Sequence, residues 1–147
     1  MKIIIASDHA GYALKEQLIT YLKSENYSLI DGGTSSAESI DYPDYGFLAA
    51  EKVADGTADY GIAICGSGIG MSIVTNKVKG IRAALCTSET IARLSRQHND
   101  SNMLILPGRF ISFEEAKKIV DTWLTTKFDG GRHQRRLYKI KKYEERR

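Results

Sequence analysis

The chain has 147 residues, 42% of them hydrophobic, with 13 glycines and two prolines, which suits one domain with a real core and excludes two ordinary domains and any low-complexity or collagen-like chain. It contains no run of about twenty apolar residues, so no membrane span is expected. The net charge of +3 is uneven: Arg132–Arg147 holds eight Lys/Arg against two Asp/Glu (8 − 2 = +6), leaving 13 against 16 (−3) for the rest.

The predicted elements alternate along the chain. Lys2–Ala6 is a short isoleucine-rich strand. Tyr12–Ser24 sets Leu14, Leu18, Tyr21 and Leu22 on one helical face. Tyr27–Asp31 reads as a second strand, ended by Gly32-Gly33, and Ser35–Asp41 as a polar loop. Pro43 suits the first turn of a helix running to about Asp55. Tyr60–Cys65 is a third strand, stopped by glycines and followed by a helix over Gly68–Asn76. Ile81–Cys86 is a fourth strand and Ser88–Gln97 a helix. Met103–Leu106 is a fifth strand. Ser112 with Glu115 forms a capping-box pattern that opens a helix to about Thr125. Gly130-Gly131 breaks the chain before a final basic helix.

Five short apolar strands separated by helices predict an α/β fold: a three-layer α/β/α sandwich with a five-stranded parallel, Rossmann-like sheet. The chain reads as a single domain, 1–147, with residues 131–147 as a C-terminal basic helical arm. Polar sequence follows the first strand (Ser7-Asp8-His9) and the third (Cys65-Gly66-Ser67-Gly68). Ligands bind beyond the carboxyl ends of parallel strands where strand order reverses. If strand two lies outside strand one, both turns line one crevice.

Two cysteines do not make a disulfide framework, and the start of the chain lacks a signal-peptide pattern. A reduced, cytoplasmic protein is expected.

Ile64-Cys65-Gly66-Ser67-Gly68-Ile69-Gly70 is the most informative segment. Glycines at alternate positions let backbone amides approach an anion or a developing oxyanion. A dinucleotide fingerprint fails because Met71 stands where its last glycine belongs, and a P-loop fails for want of Gly-Lys-Ser/Thr. A glycine turn that merely packs stays open as a reading. Cys65 could be nucleophile, base or small buried hydrophobe; no Cys or His lies at metal-ligand spacing from it, so no metal is expected there. Cys86, inside a strand, reads as structural.

Three histidines lie beside other polar groups. Asp8, before His9, could simply cap the first helix, and His98-Asn99 could simply end one. Arg132 and Arg136, four apart, share a helical face and could clamp a phosphate or stay solvated. His133 lies between Arg132 and Arg135. Leu137 and Ile140 give the arm a small apolar edge to pack on something. The basic tail raises nucleic-acid binding as a rival, but no known module pattern appears. A non-catalytic sugar-phosphate or nucleotide sensor on the same fold is a further rival, since fold does not set function.

Taken together, Ser7-Asp8-His9-Ala10-Gly11, Asp31-Gly32-Gly33-Thr34, Asp41-Tyr42-Pro43, Ile64–Gly70, Asn76-Lys77, Gly80-Ile81-Arg82, Ser95–Asp100, Gly108-Arg109 and Gly130–Gln134 keep the order of a known family. The chain resembles the type B ribose-5-phosphate isomerases and the related isomerases of galactose 6-phosphate and allose 6-phosphate. The resemblance implies an aldose–ketose isomerase of the pentose phosphate pathway, converting D-ribose 5-phosphate to D-ribulose 5-phosphate through an enediolate, with no cofactor and no metal. It implies Cys65 as general base, Ser67 as a hydroxyl standing where many members have threonine, and His98 as the ring-opening group. Gly66, Ser67, Gly68, Ile69 and Gly70 would cradle a substrate oxygen. Asp8, His9 and Asn99 would bind sugar, and Arg109, Arg132 and Arg136 phosphate. The family works as homodimers, sometimes paired into tetramers, with the site between subunits; no nucleic acid or membrane partner is implied.

Overall fold

The computed structural model describes residues 1–146. In chain order the elements are β1 (Lys2–Ser7), α1 (Tyr12–Ser24), β2 (Ser28–Asp31), α2 (Tyr42–Ala54), β3 (Tyr60–Cys65), α3 (Ile69–Thr75), β4 (Ala83–Leu85), α4 (Glu89–Asn99), β5 (Met103–Pro107), α5 (Phe113–Thr125) and α6 (Arg132–Glu144). The five strands pair in parallel in the order β2-β1-β3-β5-β4. The expected α/β/α sandwich is therefore present, and β2 does lie outside β1, leaving β1 beside β3. The helical arm is α6; Arg147, the last residue of its expected range, lies outside the described residues.

Strand alternation sorts the core into two layers. Ile3, Ile5, Ile62, Ile64, Leu104 and Leu106 meet Leu14, Leu18 and Leu22 of α1 and Ile119, Val120 and Trp123 of α5 on one face. Ile4, Ala6, Ala63, Cys65, Met103 and Ile105 meet Ala49, Ala50 and Val53 of α2 and Met71 of α3 on the other. Both faces are covered, which is why these strands are apolar at successive positions rather than alternate ones. Each large side chain contributes about 1.5–3 kcal/mol by leaving water.

The fourth strand is shorter than its apolar run. Ile81 donates its amide to the Val78 carbonyl in a turn, and the Arg82 amide goes to Asn102 Oδ1 at 2.7 Å, so the chain joins the sheet only at Ala83. β4 is an edge strand. Asn76 covers its free side: its Oδ1 accepts from the Ala83 amide (2.9 Å) and its Nδ2 donates to the Ala83 carbonyl (3.1 Å). A side-chain amide thus occupies the position that another strand could take. Ser112 caps the last core helix, its Oγ accepting from the Glu115 amide at 3.1 Å, but among the described residues the Glu115 carboxylate does not return the bond, so only half of the expected capping box forms.

Candidate active site

The two polar turns expected to line one crevice do follow neighbouring strands, and at the carboxyl ends of β1 and β3 Ser7 is in register with Ile64. The Asp8 amide donates to the Ile64 carbonyl at 3.1 Å. One Asp8 carboxylate oxygen accepts from the Gly11 amide, also at 3.1 Å, capping the short His9–Gly11 turn that leads into α1. The buried Asp8 is therefore a cap that also sits beside the end of β3. His9 reaches the other way, its Nδ1 accepting from the Ile40 amide at 3.2 Å, and ties the loop after β2 to the same corner.

Cys65 ends β3 and is 4% exposed. Its carbonyl accepts from the Gly108 amide at 2.8 Å, and the Gly66 carbonyl accepts from the Arg109 amide at 3.0 Å. The turns after β3 and β5 are thereby knitted together, and Arg109 lies over Gly66, where a Cβ would come within 3.1 Å of its Nη1. Gly68 has φ +78°, and a Cβ there would come within 2.5 Å of Leu85 Cδ1, so the turn needs glycine on both counts. Exposed Ser67 accepts from the Ile69 amide at 3.2 Å and helps start α3. Ile69 and Gly70 occupy the first turn of that helix, and the Ile69 side chain is exposed.

Lys15 supports this corner and escaped the sequence reading. Its side chain is fully buried, and its Nζ lies 2.9 Å from Asp31 Oδ1 and 2.7 Å from Glu16 Oε1. Asp31 Oδ1 also accepts from the Gly33 amide at 2.9 Å. The Gly33 carbonyl in turn accepts from the Ser7 amide at 2.7 Å, and the Thr34 amide donates to the Ser7 carbonyl at 2.9 Å. The end of β1 that carries Asp8 is so tied through β2 to α1. The clue was position: Lys15 stands three residues before Leu18 and seven before Leu22, on the apolar stripe.

The remaining expected residues lie at the opposite end of the sheet. His98 and Asn99 close α4, just before β5 begins. Two arginines brace this turn, and neither was singled out as a brace by its motif. Arg82 donates to the carbonyls of Asn99 (3.0 Å) and Asp100 (2.8 Å). Buried Arg96 pairs with Asp100 Oδ1 at 2.9 Å and packs beside the Tyr60 and Trp123 rings. The His133 ring, on α6, stacks on His98 with centroids 4.3 Å apart and planes 13° apart. Burial, then the neighbouring His98, Arg132 and Arg136, hold the His133 pKa below its ordinary value. Arg132 and Arg136 are exposed on the same helix.

The expected site residues therefore fall into two groups at opposite ends of the sheet. Asp8, His9, Cys65, Gly66–Gly70 and Arg109 present a thiol, a carboxylate, a run of amides and one guanidinium at the carboxyl ends of the strands. His98, Asn99, Arg132 and Arg136 present an imidazole, an amide and two guanidinium groups at their amino ends. The first group can take a proton and hold an oxyanion, and the second suits a phosphate or ring oxygen.

The family model described as Ribose/Galactose Isomerase matches residues 3–140. Ribose-5-phosphate isomerase B of Escherichia coli is 47% identical over 146 residues, which cover 99% of this chain and 98% of that protein. The solved ribose-5-phosphate isomerase B of Clostridium thermocellum superposes with a TM-score of 0.98 at 52% identity, covering 99% of each chain. The Mycoplasma genitalium structure with bound ribulose-5-phosphate gives a TM-score of 0.96 at 46% identity, covering 99% of this chain and 97% of that one.

Proposed function

The chain belongs to the ribose/galactose isomerase family, and we infer that it is an aldose–ketose isomerase interconverting D-ribose 5-phosphate and D-ribulose 5-phosphate. The observation that carries the mechanism is the seating of Cys65 at the carboxyl end of β3, where the Gly66–Gly70 turn leaves it.

In the proposed reaction the open aldehyde lies with C1 and C2 over Cys65. The Cys65 thiolate removes the C2 proton, the electron pair of that C–H bond forms the C1–C2 double bond, and the O1 carbonyl becomes an enediolate oxygen. Amides of the glycine turn hold that charge, a contribution of about 3 kcal/mol per well-placed donor. Ser67 passes a proton between the two oxygens. Cys65 then returns its proton to C1, leaving the ketone at C2. One base serves both carbons because they are adjacent, and no electrons leave the substrate.

His98 opens the sugar ring, Asn99, Asp8 and His9 bind hydroxyls, and Arg109, Arg132 and Arg136 hold the phosphate. The phosphate does not react; its binding fixes C1 and C2 against the thiol. Because the two groups lie at opposite ends of the sheet in one copy, we assign a homodimer in which His98 of the partner subunit completes the site around each Cys65. The α3 side chains Ile69 and Ile73, each 57% exposed beside the glycine turn, give such a pairing an apolar surface. The chain acts as one domain over 1–147 in this reading, in the cytoplasm and in the pentose phosphate pathway. Two free, buried thiols suit a reducing compartment.

A coupled assay with ribose 5-phosphate, run beside allose 6-phosphate and galactose 6-phosphate, tests the reading. Turnover of the pentose with weak action on the hexoses is expected. A preference for a hexose phosphate would keep the mechanism and reassign the pathway. No turnover of any of the three by folded dimer would overturn the reading.

A further inference from the structure

His98, Asp129 and His133 form a donor cluster that isomerisation draws on only through His98. They come from three segments: the end of α4, the loop after α5 and the first turn of α6. One ligand atom from each lies within 4.8 Å of the other two. The Asp129 amide donates to the Gln97 carbonyl at 3.0 Å, which keeps its carboxylate beside the end of α4. Among the described residues, no hydrogen bond engages the ring nitrogens of His98 or His133, or the Asp129 carboxylate. Two imidazole nitrogens and a carboxylate oxygen thus converge with their lone pairs unspent.

That donor set is the one an open, tetrahedral zinc site uses, with water in the fourth position. Ligand bonds of about 2.0–2.2 Å place such donors about 3.4 Å apart, so the cluster has to tighten by about 1.5 Å or less. The chain between Asp129 and His133 is suited to this. Gly130 and Gly131 have φ +70° and +56° with open space around both, and the Asp129 side chain is exposed. The Arg132 and Arg136 charges oppose any cation. They act most strongly against magnesium or calcium, which gain little from imidazole, and least against ions that bind nitrogen well.

We propose that His98, Asp129 and His133 bind a nitrogen-preferring divalent transition ion, zinc in the first instance, and that the bound ion inhibits isomerisation by withdrawing His98. The inhibitory half rests on the isomerase reading; the binding half does not. The spacing of 31 residues between His98 and Asp129 hides the site from any sequence motif, since the fold alone assembles it.

Cobalt(II) added to metal-stripped full-length protein is the direct probe. The expected result is one cobalt per chain with visible ligand-field bands and no thiolate charge-transfer band. Zinc should displace it, and Asp129→Ala should weaken binding by more than about tenfold, the scale seen even for loss of a supporting group around a metal. Zinc should also inhibit ribose 5-phosphate turnover, reversibly by chelator. Asp129→Ala should keep the metal-free rate and need more than about tenfold more zinc for the same inhibition. Absence of ligand-field bands, a thiolate band pointing to Cys65, or equal cobalt affinity in Asp129→Ala would overturn the site. Cobalt bound as expected with turnover unaffected by zinc would overturn the inhibitory role. If the stripped enzyme turned over no sugar phosphate at all, the isomerase reading would fall with the inhibitory half, while the cobalt arm would still decide the site.

Discussion

Cys65 and His98 occupy opposite ends of one parallel sheet. Cys65 closes β3 at its carboxyl end, and His98 stands in the last turn of α4, before β5 enters at its amino end. Gly61 is in register with Met103 and Cys65 with Pro107, so about 13 Å of strand separates the two ends. A rotamer change cannot close that gap. The proposed base and the proposed ring-opening acid can serve one sugar only when they come from two copies.

Complementation between inactive variants follows. Cys65→Ala and His98→Ala proteins should each be nearly inactive alone. Mixed, unfolded and refolded together in equal amounts, they should recover about one quarter of the wild-type rate, because half the dimers are mixed and each holds one intact site. No recovery, with mixed dimers present, would show that both residues act within one chain.

Cys65→Ala should lower kcat by about 10²–10⁴-fold, the usual worth of a positioned general base. Titration with ribulose 5-phosphate should show little change in affinity, because the amides and guanidinium groups remain. A near-normal kcat would remove Cys65 as the base.

The sheet, its helices and the turns that carry the candidate site residues were legible because local signals agreed with the fold. Isoleucine runs made strands, Ser112 made a cap, and glycines marked the turn after β3. Three things were not legible, each for a physical reason. Lys15 is a charge on an apolar stripe, and only the position of Asp31 across the sheet explains its burial. Ile81 and Arg82 look like strand but are drawn into a turn by Val78 and Asn102. Which candidate residues lie at which end of the sheet depends on where α4 terminates relative to β3, which residue order alone does not reveal.

Gly68→Ala tests the amide turn. The left-handed φ costs a non-glycine residue about 1–2 kcal/mol, and the added Cβ would press on Leu85 Cδ1 at 2.5 Å. The variant should unfold at a lower temperature and lose about 10²-fold in kcat, as expected when one oxyanion donor is displaced. A lower Tm with unchanged kcat would mean that the turn is structural only.

Arg136→Ala should raise KM for ribose 5-phosphate by about 10–100-fold, since a hydrogen bond to a charged group is worth about 1.5–3 kcal/mol. The slow isomerisation of unphosphorylated ribose should be unchanged. Loss of kcat at constant KM would contradict a phosphate clamp.

Cys86 gives the protein an alkaline liability. It is fully buried, and its thiol donates weakly to the Ala84 carbonyl at 3.6 Å and to Ser95 Oγ at 3.9 Å. Burial pushes its pKa up to about 11 from an ordinary 9.0, against a small opposing effect of Ser95. Between those values the unfolded chain releases the proton and the folded chain keeps it. The folded state then binds more protons, so stability falls as pH rises, at up to about 1.4 kcal/mol per pH unit. The contribution is fully present below pH 9 and is lost on passing through about pH 11. Urea unfolding of the native sequence and of Cys86→Ala, at pH 8 and again at pH 10, isolates this residue from the other titrating groups. The native sequence should be the more stable at pH 8, because the variant leaves a cavity, and its advantage should shrink by about 1 kcal/mol at pH 10. An advantage that stays constant would mean that Cys86 ionises as readily in the folded protein as in the unfolded chain.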